Sequence, residues 1–262
     1  MINAFFDGIS NASNGKFNPK RTLFSLFLFL FFCLNTMFGQ SESHYNSWSR
    51  LSISNELSNN FKSEVEFQLR GQNDSSIENN NPFHNELMQS VRTWLHYKYG
   101  TKFTFSLSPF AYFKHAAIIN TESDKSKNHS YEIRYTFAAD FKQKLISNTT
   151  FFNRLAFEFR DFKNNNNENV HRIRNKIGLK YDFNKKWNIS VFDEYFINTN
   201  SPDKKHFYDH NRIGIMAGFS PVSNVKIDFG YIAINRLPKN KIETMNENNF
   251  LVMLYYTFKN KK

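Results

Sequence analysis

The stretch FKSEVEFQLR, residues 61–70, indicates the fold class of this chain. Its odd-numbered positions, from Phe61 to Leu69, are apolar except for Ser63, and the positions between them are charged except for Gln68. Successive side chains of a β-strand point to opposite faces, so the stretch predicts a strand with one apolar and one charged face. In a helix, whose period is 3.6 residues, the two sets would be mixed around the axis.

The same alternation recurs along the chain. In 131–141 the odd positions are mostly aromatic or apolar, while Glu132, Arg134, Thr136 and Asp140 occupy even positions. Strands that cross an outer membrane need about ten such alternating residues. The pattern predicts eleven strands, at 48–57, 61–70, 87–99, 102–114, 130–141, 149–161, 171–183, 187–197, 208–219, 225–236 and 248–258.

The connections between these strands alternate in length. Short connections such as 58–60 and 184–186 alternate with long polar ones such as 71–86 and 162–170. Outer-membrane barrels have short periplasmic turns and long outer loops. We therefore predict an all-β fold, an up-and-down antiparallel transmembrane β-barrel with long outer loops and short periplasmic turns. Bacterial single-chain barrels have an even number of strands, so we expect about twelve, with ten or eleven as alternatives.

A soluble β-barrel, which buries its apolar face, would show the same alternation. Eleven aromatic-rich strands would, however, enclose more interior than a soluble eight-stranded barrel needs. Aromatic residues also gather near the ends of the predicted strands, which is typical of the interfacial girdles of membrane barrels. These residues are Tyr97, Tyr99, Tyr131, Trp187, Tyr195, Phe219, Tyr255, Tyr256 and Phe258. Both features favour a membrane barrel.

The N-terminal segment has the features of an export signal. Basic residues precede the apolar run 23–34, which is shorter than the roughly 20 residues that a membrane-spanning helix needs. We expect residues 1–39 to be a cleaved signal peptide and residues 40–262 to form the barrel domain in the outer membrane of a Gram-negative bacterium. The only cysteine, Cys33, lies in this leader, so we expect no disulfide or thiolate site after cleavage.

The chain is basic, with a formal net charge of +11. The charge is spread along the sequence rather than gathered on one helix, which disfavours a helical nucleic-acid-binding module. The expected partners are outer-membrane lipid and, during biogenesis, the barrel assembly machinery, which usually reads a final strand that ends in an aromatic residue such as Phe258. A small anionic solute is a further expected partner, and nucleic acid is not.

A series of short motifs, spread over most of the chain beyond the leader, resembles an uncharacterised bacterial outer-membrane family, domain of unknown function 2490. The resemblance implies a barrel in the outer membrane, and it implies no activity. The motifs are Trp48, Arg70, Tyr131-Glu132-Ile133-Arg134, Asn153-Arg154-Leu155, Glu158-Phe159-Arg160, His171-Arg172-Ile173-Arg174, Glu194-Tyr195-Phe196, Asn211-Arg212-Ile213-Gly214 and Gly230-Tyr231-Ile232.

The polar faces of the predicted strands would line the lumen with charges. Rings of like charge in a pore select by sign, so one interpretation is a narrow, anion-preferring channel. The other is a plugged structural barrel, in which Arg and Glu of neighbouring strands form salt-bridged ladders. Both remain open, because barrels of this size are either filled or hollow. The candidate lumen-lining residues are Arg134, Arg154, Glu158, Arg160, Arg172, Arg174, Lys176, Glu194, Arg212 and Asp228.

The sequence shows no clear catalytic or metal-binding constellation. His206 and His210 are four residues apart, but they lie in a loop that enters a strand, where this spacing is weak evidence for a metal site. Ser130 follows His129, which leaves an outer-membrane enzyme acting on lipid at the outer rim as the alternative function. Adjacent Ser and His residues arise by chance, so we expect no enzyme activity, no cofactor and no metal.

Overall fold

A computed structural model of the chain describes residues 43–163, 169–200, 207–236 and 245–259, and the expected signal peptide lies outside these residues. The described residues are almost entirely β-strand, with two short 3-10 helices at Ser75–Ile77 and Glu122–Ser126. The strands are β1 (Ser43–Glu56), β2 (Phe61–Gln72), β3 (Asn85–Tyr99), β4 (Phe103–Ser108), β5 (Ala111–His115), β6 (Ser130–Ile146), β7 (Thr149–Phe162), β8 (Asn169–Asp182), β9 (Trp187–Asn198), β10 (Tyr208–Val222), β11 (Val225–Arg236) and β12 (Met245–Phe258).

Strand pairing runs from β1 to β12 and returns to β1, so the sheet closes into a barrel. The pairs are antiparallel except for β1 and β12, which run parallel with Trp48 opposite Leu251. β4 and β5 share one position between β3 and β6, so the wall is eleven strands across. An odd number of alternating positions leaves the first and last strands running the same way, which explains the parallel pair. The expected all-β barrel is confirmed.

The predicted strand at 102–114 is divided in two around Pro109. Leu107 pairs with Leu95, whereas Ala111 pairs with Arg92, so one extra residue has entered this strand. Proline has no N–H to give to a neighbouring strand, and one inserted residue is the definition of a β-bulge. The insertion shifts the alternation, and the inward residues are even-numbered before the bulge and odd-numbered after it.

The two ends of the barrel differ. Short turns such as 57–60 and 147–148 join strands at one end, the short-turn end, and long connections such as 73–84 and 116–129 join them at the other, the long-loop end. Because β1 and β12 are parallel, Ser43 lies at the long-loop end, where β12 also begins.

The connections 73–84 and 116–129 pack against each other at the long-loop end. The side-chain amide of Gln72 donates to the carbonyl oxygen of Ala117 at 2.8 Å, and Nζ of Lys125 lies 2.9 Å from Oδ2 of Asp74. Hydrogen bonds from the Ser76 hydroxyl and from Lys125 lower the pKa of Asp74 to about 2.

The outward side chains form an apolar belt around the barrel. Phe137, at 53% exposed, is typical of this surface. The prediction that Tyr255 belongs to an interfacial girdle is wrong, because its hydroxyl accepts a hydrogen bond of 2.6 Å from Nη2 of Arg50 in the lumen. Within the described residues, none of the helices has the length and apolar character that a membrane crossing requires. Other exposed members of the belt are Phe67, Leu155, Phe229, Phe250 and Val252.

Candidate functional site: the charged lumen

The ten charged residues predicted to line the lumen lie on β6 to β11, and nine of them border an interior cavity of about 640 Å³. The tenth, Glu158, is wholly buried among the others. Arg154, Lys176 and Asp228 lie nearer the short-turn end than the remaining seven. Contact of any of the ten residues with a solute stays a prediction. The seven form, with Arg92 and Glu132, what we call the arginine cluster: Arg92, Glu132, Arg134, Glu158, Arg160, Arg172, Arg174, Glu194 and Arg212.

Glu158 on β7 is the centre of the arginine cluster and is 0% exposed. Its carboxylate lies 2.6 Å from Nη2 of Arg172 and 2.8 Å from Nη1 of Arg174, both on the neighbouring strand β8. Arg134 on β6 and Arg92 on β3 approach it to 3.5 and 3.8 Å. One carboxylate therefore faces four guanidiniums from three strands.

A second carboxylate, Glu132 on β6, holds the part of the cluster nearer the long-loop end. Arg160 donates to both of its oxygens at 2.9 Å, in the bidentate geometry of strong Arg–carboxylate pairs. Nε of Arg134 lies 2.6 Å from Oε1, and Nε2 of His115 lies 3.1 Å from Oε2. The candidate set omitted Glu132, although its position two residues before Arg134 already placed it on the lumen side.

The third carboxylate, Glu194 on β9, joins the cluster to aromatic side chains. Arg174 donates to it at 2.7 Å, and Nη1 of Arg212 lies 4.0 Å away. The guanidinium of Arg212 also lies over the ring of Phe196, 4.3 Å from its centroid, and 5.6 Å from that of Trp48 across the lumen. Cation–π contacts of this kind stabilise a buried guanidinium that lacks a close carboxylate.

The arginine cluster is unbalanced in charge, with six guanidiniums against three carboxylates. Asp209, 3.0 Å from Arg172, adds one negative charge at its edge. Burial of charge in a low-dielectric interior is costly, and hydrogen-bonded opposite charges offset that cost. The middle of the lumen therefore keeps an excess of positive charge.

Apolar side chains obstruct the lumen beside the arginine cluster. They come from β1, β9, β11 and β12, whereas the charges come mainly from β3 and β6 to β8. The ring of Phe192 lies across Gly214 on β10, where an added Cβ would come within 2.3 Å of the ring. Only glycine at position 214 leaves room for the Phe192 ring, and the ring in this position narrows the lumen. The buried apolar residues are Trp48, Phe192, Ile232, Ile234, Leu251 and Met253.

The lumen widens towards the short-turn end into a cavity of about 990 Å³, which we call the basic vestibule. Arg154 is paired with Asp140 at 2.7 Å. Within the described residues, neither Lys142 nor Lys176 forms an ion pair, and Nζ of Lys176 lies 3.5 Å from the centroid of the Phe192 ring. Excess cations therefore line this end. The charged lining residues are Glu56, Lys62, His96, Lys98, Asp140, Lys142, Arg154 and Lys176.

One known family matches most of this chain. A family model described as "Protein of unknown function (DUF2490)" matches residues 45–245, more than half of the chain. The chain belongs to this family. The resemblance to this family that the short motifs indicated is thereby confirmed. The match includes every strand from β2 to β11. The family description assigns no activity to its members.

One similar solved structure is the outer membrane channel DcaP of Acinetobacter baumannii. It shares 8% sequence identity, with a TM-score of 0.34, over 71% of this chain and 78% of that chain. This similarity transfers no residue role. The chain has no match among curated proteins. Across the described ranges, no three His, Cys, Asp or Glu side chains are grouped so as to hold a metal ion.

Proposed function

We propose that this chain is an outer-membrane β-barrel of a Gram-negative bacterium, exported by the signal peptide at 1–39, whose lumen is a narrow, anion-preferring pathway. The apolar belt and the charged interior support the membrane location, because membrane barrels alternate apolar outward and polar inward residues. The basic residues and short apolar run of the leader support export.

The excess of positive charge at the obstructed part of the lumen is the observation that carries this proposal. Six guanidiniums face three carboxylates there, and the apolar residues opposite them keep the passage narrow. Fixed charges that line a narrow pore admit ions of the opposite sign. The obstruction predicts a conductance far below that of an open porin.

The basic vestibule supports the same sign of preference. Lys142 and Lys176 line it without an ion-pair partner among the described residues. Their fields act over a Debye length of about 8 Å at physiological ionic strength, so they concentrate anions at the short-turn end before the narrow segment.

The test is the reversal potential of the mature protein in a planar bilayer under a KCl gradient. We expect a small conductance whose reversal potential has the sign of chloride selectivity. The double variant Lys142→Glu with Lys176→Glu should shift the potential towards zero or reverse it, because it changes the charge of the vestibule without breaking an ion pair.

The matched control is Lys185→Glu with Lys186→Glu, on the turn 183–186 at the same end. It makes the same change of charge, but neither residue lines the vestibule, so the potential should stay close to that of the unchanged protein. Cation selectivity of the unchanged protein would contradict the proposal. An absence of conductance in protein that resists heat unfolding in detergent would instead identify a plugged structural barrel.

We also propose that the barrel is not an enzyme. Ser130 lies opposite His115 in register, and the ring of His115 is directed to Glu132, a carboxylate that Arg134 and Arg160 already occupy. Such a carboxylate is a weak partner for a catalytic histidine. Hydrolysis of phospholipid by the purified barrel, abolished by Ser130→Ala, would restore the lipid-acting enzyme as the function.

A further inference from the structure

A group of polar side chains interrupts the apolar outer wall of the barrel. Asn153 lies on β7, and Asn175 and Asp193 lie near the middle of β8 and β9. The register places Asn175 between Leu155 and Tyr195, whose side chains are both exposed on the outer surface. The three residues, here called the outer polar patch, therefore face the hydrocarbon of the membrane.

Hydrogen bonds within the wall satisfy only part of the outer polar patch. Asn153 donates from Nδ2 to Oδ1 of Asn175 at 3.1 Å, and Asn211 donates to Oδ1 of Asp193 over a long 3.4 Å. The Tyr195 hydroxyl, on the same strand, also donates to the Asp193 carboxylate. In the described part of the chain, no residue accepts a hydrogen bond from the amide nitrogen of Asn175, and no Lys, Arg or His forms an ion pair with Asp193. The patch thus presents a free donor beside a carboxylate without a cation.

Such groups are costly where they face lipid. Acyl chains offer no hydrogen-bond partner, and an ionisable side chain within a membrane is a candidate interaction site for that reason. The other charged residues that the structure describes lie in the lumen, in the loops or at the strand ends. Asp193 is therefore an exception that a partner within the membrane would explain.

The strand tilt brings the free donor and the carboxylate to nearly the same depth. A row of paired residues runs once round the wall, from Glu56 on β1 through Ala156 on β7 to Met245 on β12. It starts at the short-turn end and finishes at the long-loop end. A step from β8 to β9 along a row of paired residues therefore rises towards the long-loop end. Asn175 pairs with Tyr195, and Asp193 lies one outward position closer to the short-turn end than Tyr195. The rise from β8 to β9 offsets most of this difference in depth.

We propose that the outer polar patch is the contact between two copies of this chain in the membrane. In a two-fold interface the same surface of each copy is used, and residue pairs are reciprocal. A two-fold axis along the membrane normal preserves depth, so the amide nitrogen of Asn175 in each copy donates to the Asp193 carboxylate of the other. The proposal rests on the transmembrane barrel and is independent of whether the lumen conducts.

The test compares the mass of the mature protein with that of a variant, in mild detergent and in lipid nanodiscs. We expect a dimer for the unchanged protein and a monomer for the double variant Asn175→Leu with Asp193→Leu. Leucine suits a lipid-facing position, and Asn153 keeps its hydrogen bond to the carbonyl oxygen of Lys176, so the variant should still fold. Loss of two reciprocal hydrogen bonds should weaken the dimer about tenfold or more. Phe67→Leu, on the opposite wall at β2, is the matched control and should stay dimeric.

Sedimentation equilibrium over a range of protein concentrations gives the dissociation constant. A monomer at every concentration, or a double-leucine variant as dimeric as the unchanged protein, would overturn the proposal. A trimer would overturn it as well, because one patch that pairs with itself closes after two copies. A monomer that carries a bound lipid, lost in the double-leucine variant, would assign the patch to lipid instead.

Discussion

Replacement of Glu158 by Gln is the most direct test of how the lumen is held together. The side chain keeps its size, but the charge at the centre of the arginine cluster is removed. Arg172 and Arg174 then lose their short contacts of 2.6 and 2.8 Å to a carboxylate. Arg92 and Arg134, at 3.8 and 3.5 Å, lose the nearby negative charge.

The expected loss follows from burial and from the number of partners. Removal of one partner from a buried ion pair costs about 3–5 kcal/mol. Glu158 accepts three hydrogen bonds from Arg172 and Arg174, whereas Gln keeps one acceptor oxygen and turns an N–H group towards the guanidiniums. We therefore expect a loss near the upper end of that range. Asp140→Asn is the matched control, because Asp140 is partly exposed and its one ion pair among the described residues is with Arg154. It should cost about 1 kcal/mol or less.

The measurement is the free energy of unfolding in denaturant from lipid vesicles, followed by the fluorescence of Trp48 and Trp94, which are buried in the lumen. A second variant, Glu158→Gln with Arg92→Met, removes a cation whose only ion pair among the described residues is with Glu158, and it should recover part of the loss. Equal losses for Glu158→Gln and Asp140→Asn would refute the reasoning, since the central carboxylate would then contribute no more than a partly exposed one.

Three further outcomes are expected. Gly214→Leu should destabilise the barrel by about 1–3 kcal/mol because the new side chain meets the ring of Phe192, and Phe192→Ala should relieve this in denaturant unfolding. Phe137→Arg on the lipid face should cost about 2–4 kcal/mol in folding into vesicles. The pKa of Asp74 is lowered from 3.8 to about 2 in the folded chain. The contribution of the Asp74 carboxylate to stability is therefore complete above about pH 4, and it is lost as the pH falls towards 2. Hydrogen exchange in 73–84 should rise over this interval, and far less so in an Asp74→Asn variant.

Local alternation predicted some of the residues that line the lumen, but it did not predict all of them. Arg134, Glu158 and Arg172 lie on the inner face because each occupies the polar phase of its own strand. Tyr255 occupies the inward phase of β12, and its position near a strand end nevertheless suggested a girdle. That error arose because aromatic side chains suit both an interface and a buried site where the hydroxyl has a partner, here Arg50.

The sequence by itself determined the all-β class, the approximate strand positions and the inward or outward face of most residues. Side-chain direction in a strand depends only on position, with a period of two, so a single segment suffices to assign it. The tertiary structure alone decided which charges meet, as Arg92 and Glu158 do across three strands. It also decided the parallel closure of β1 on β12 and the bulge that divides 102–114. These features depend on register and on closure of the whole wall, and register is set by contacts between segments far apart in the chain.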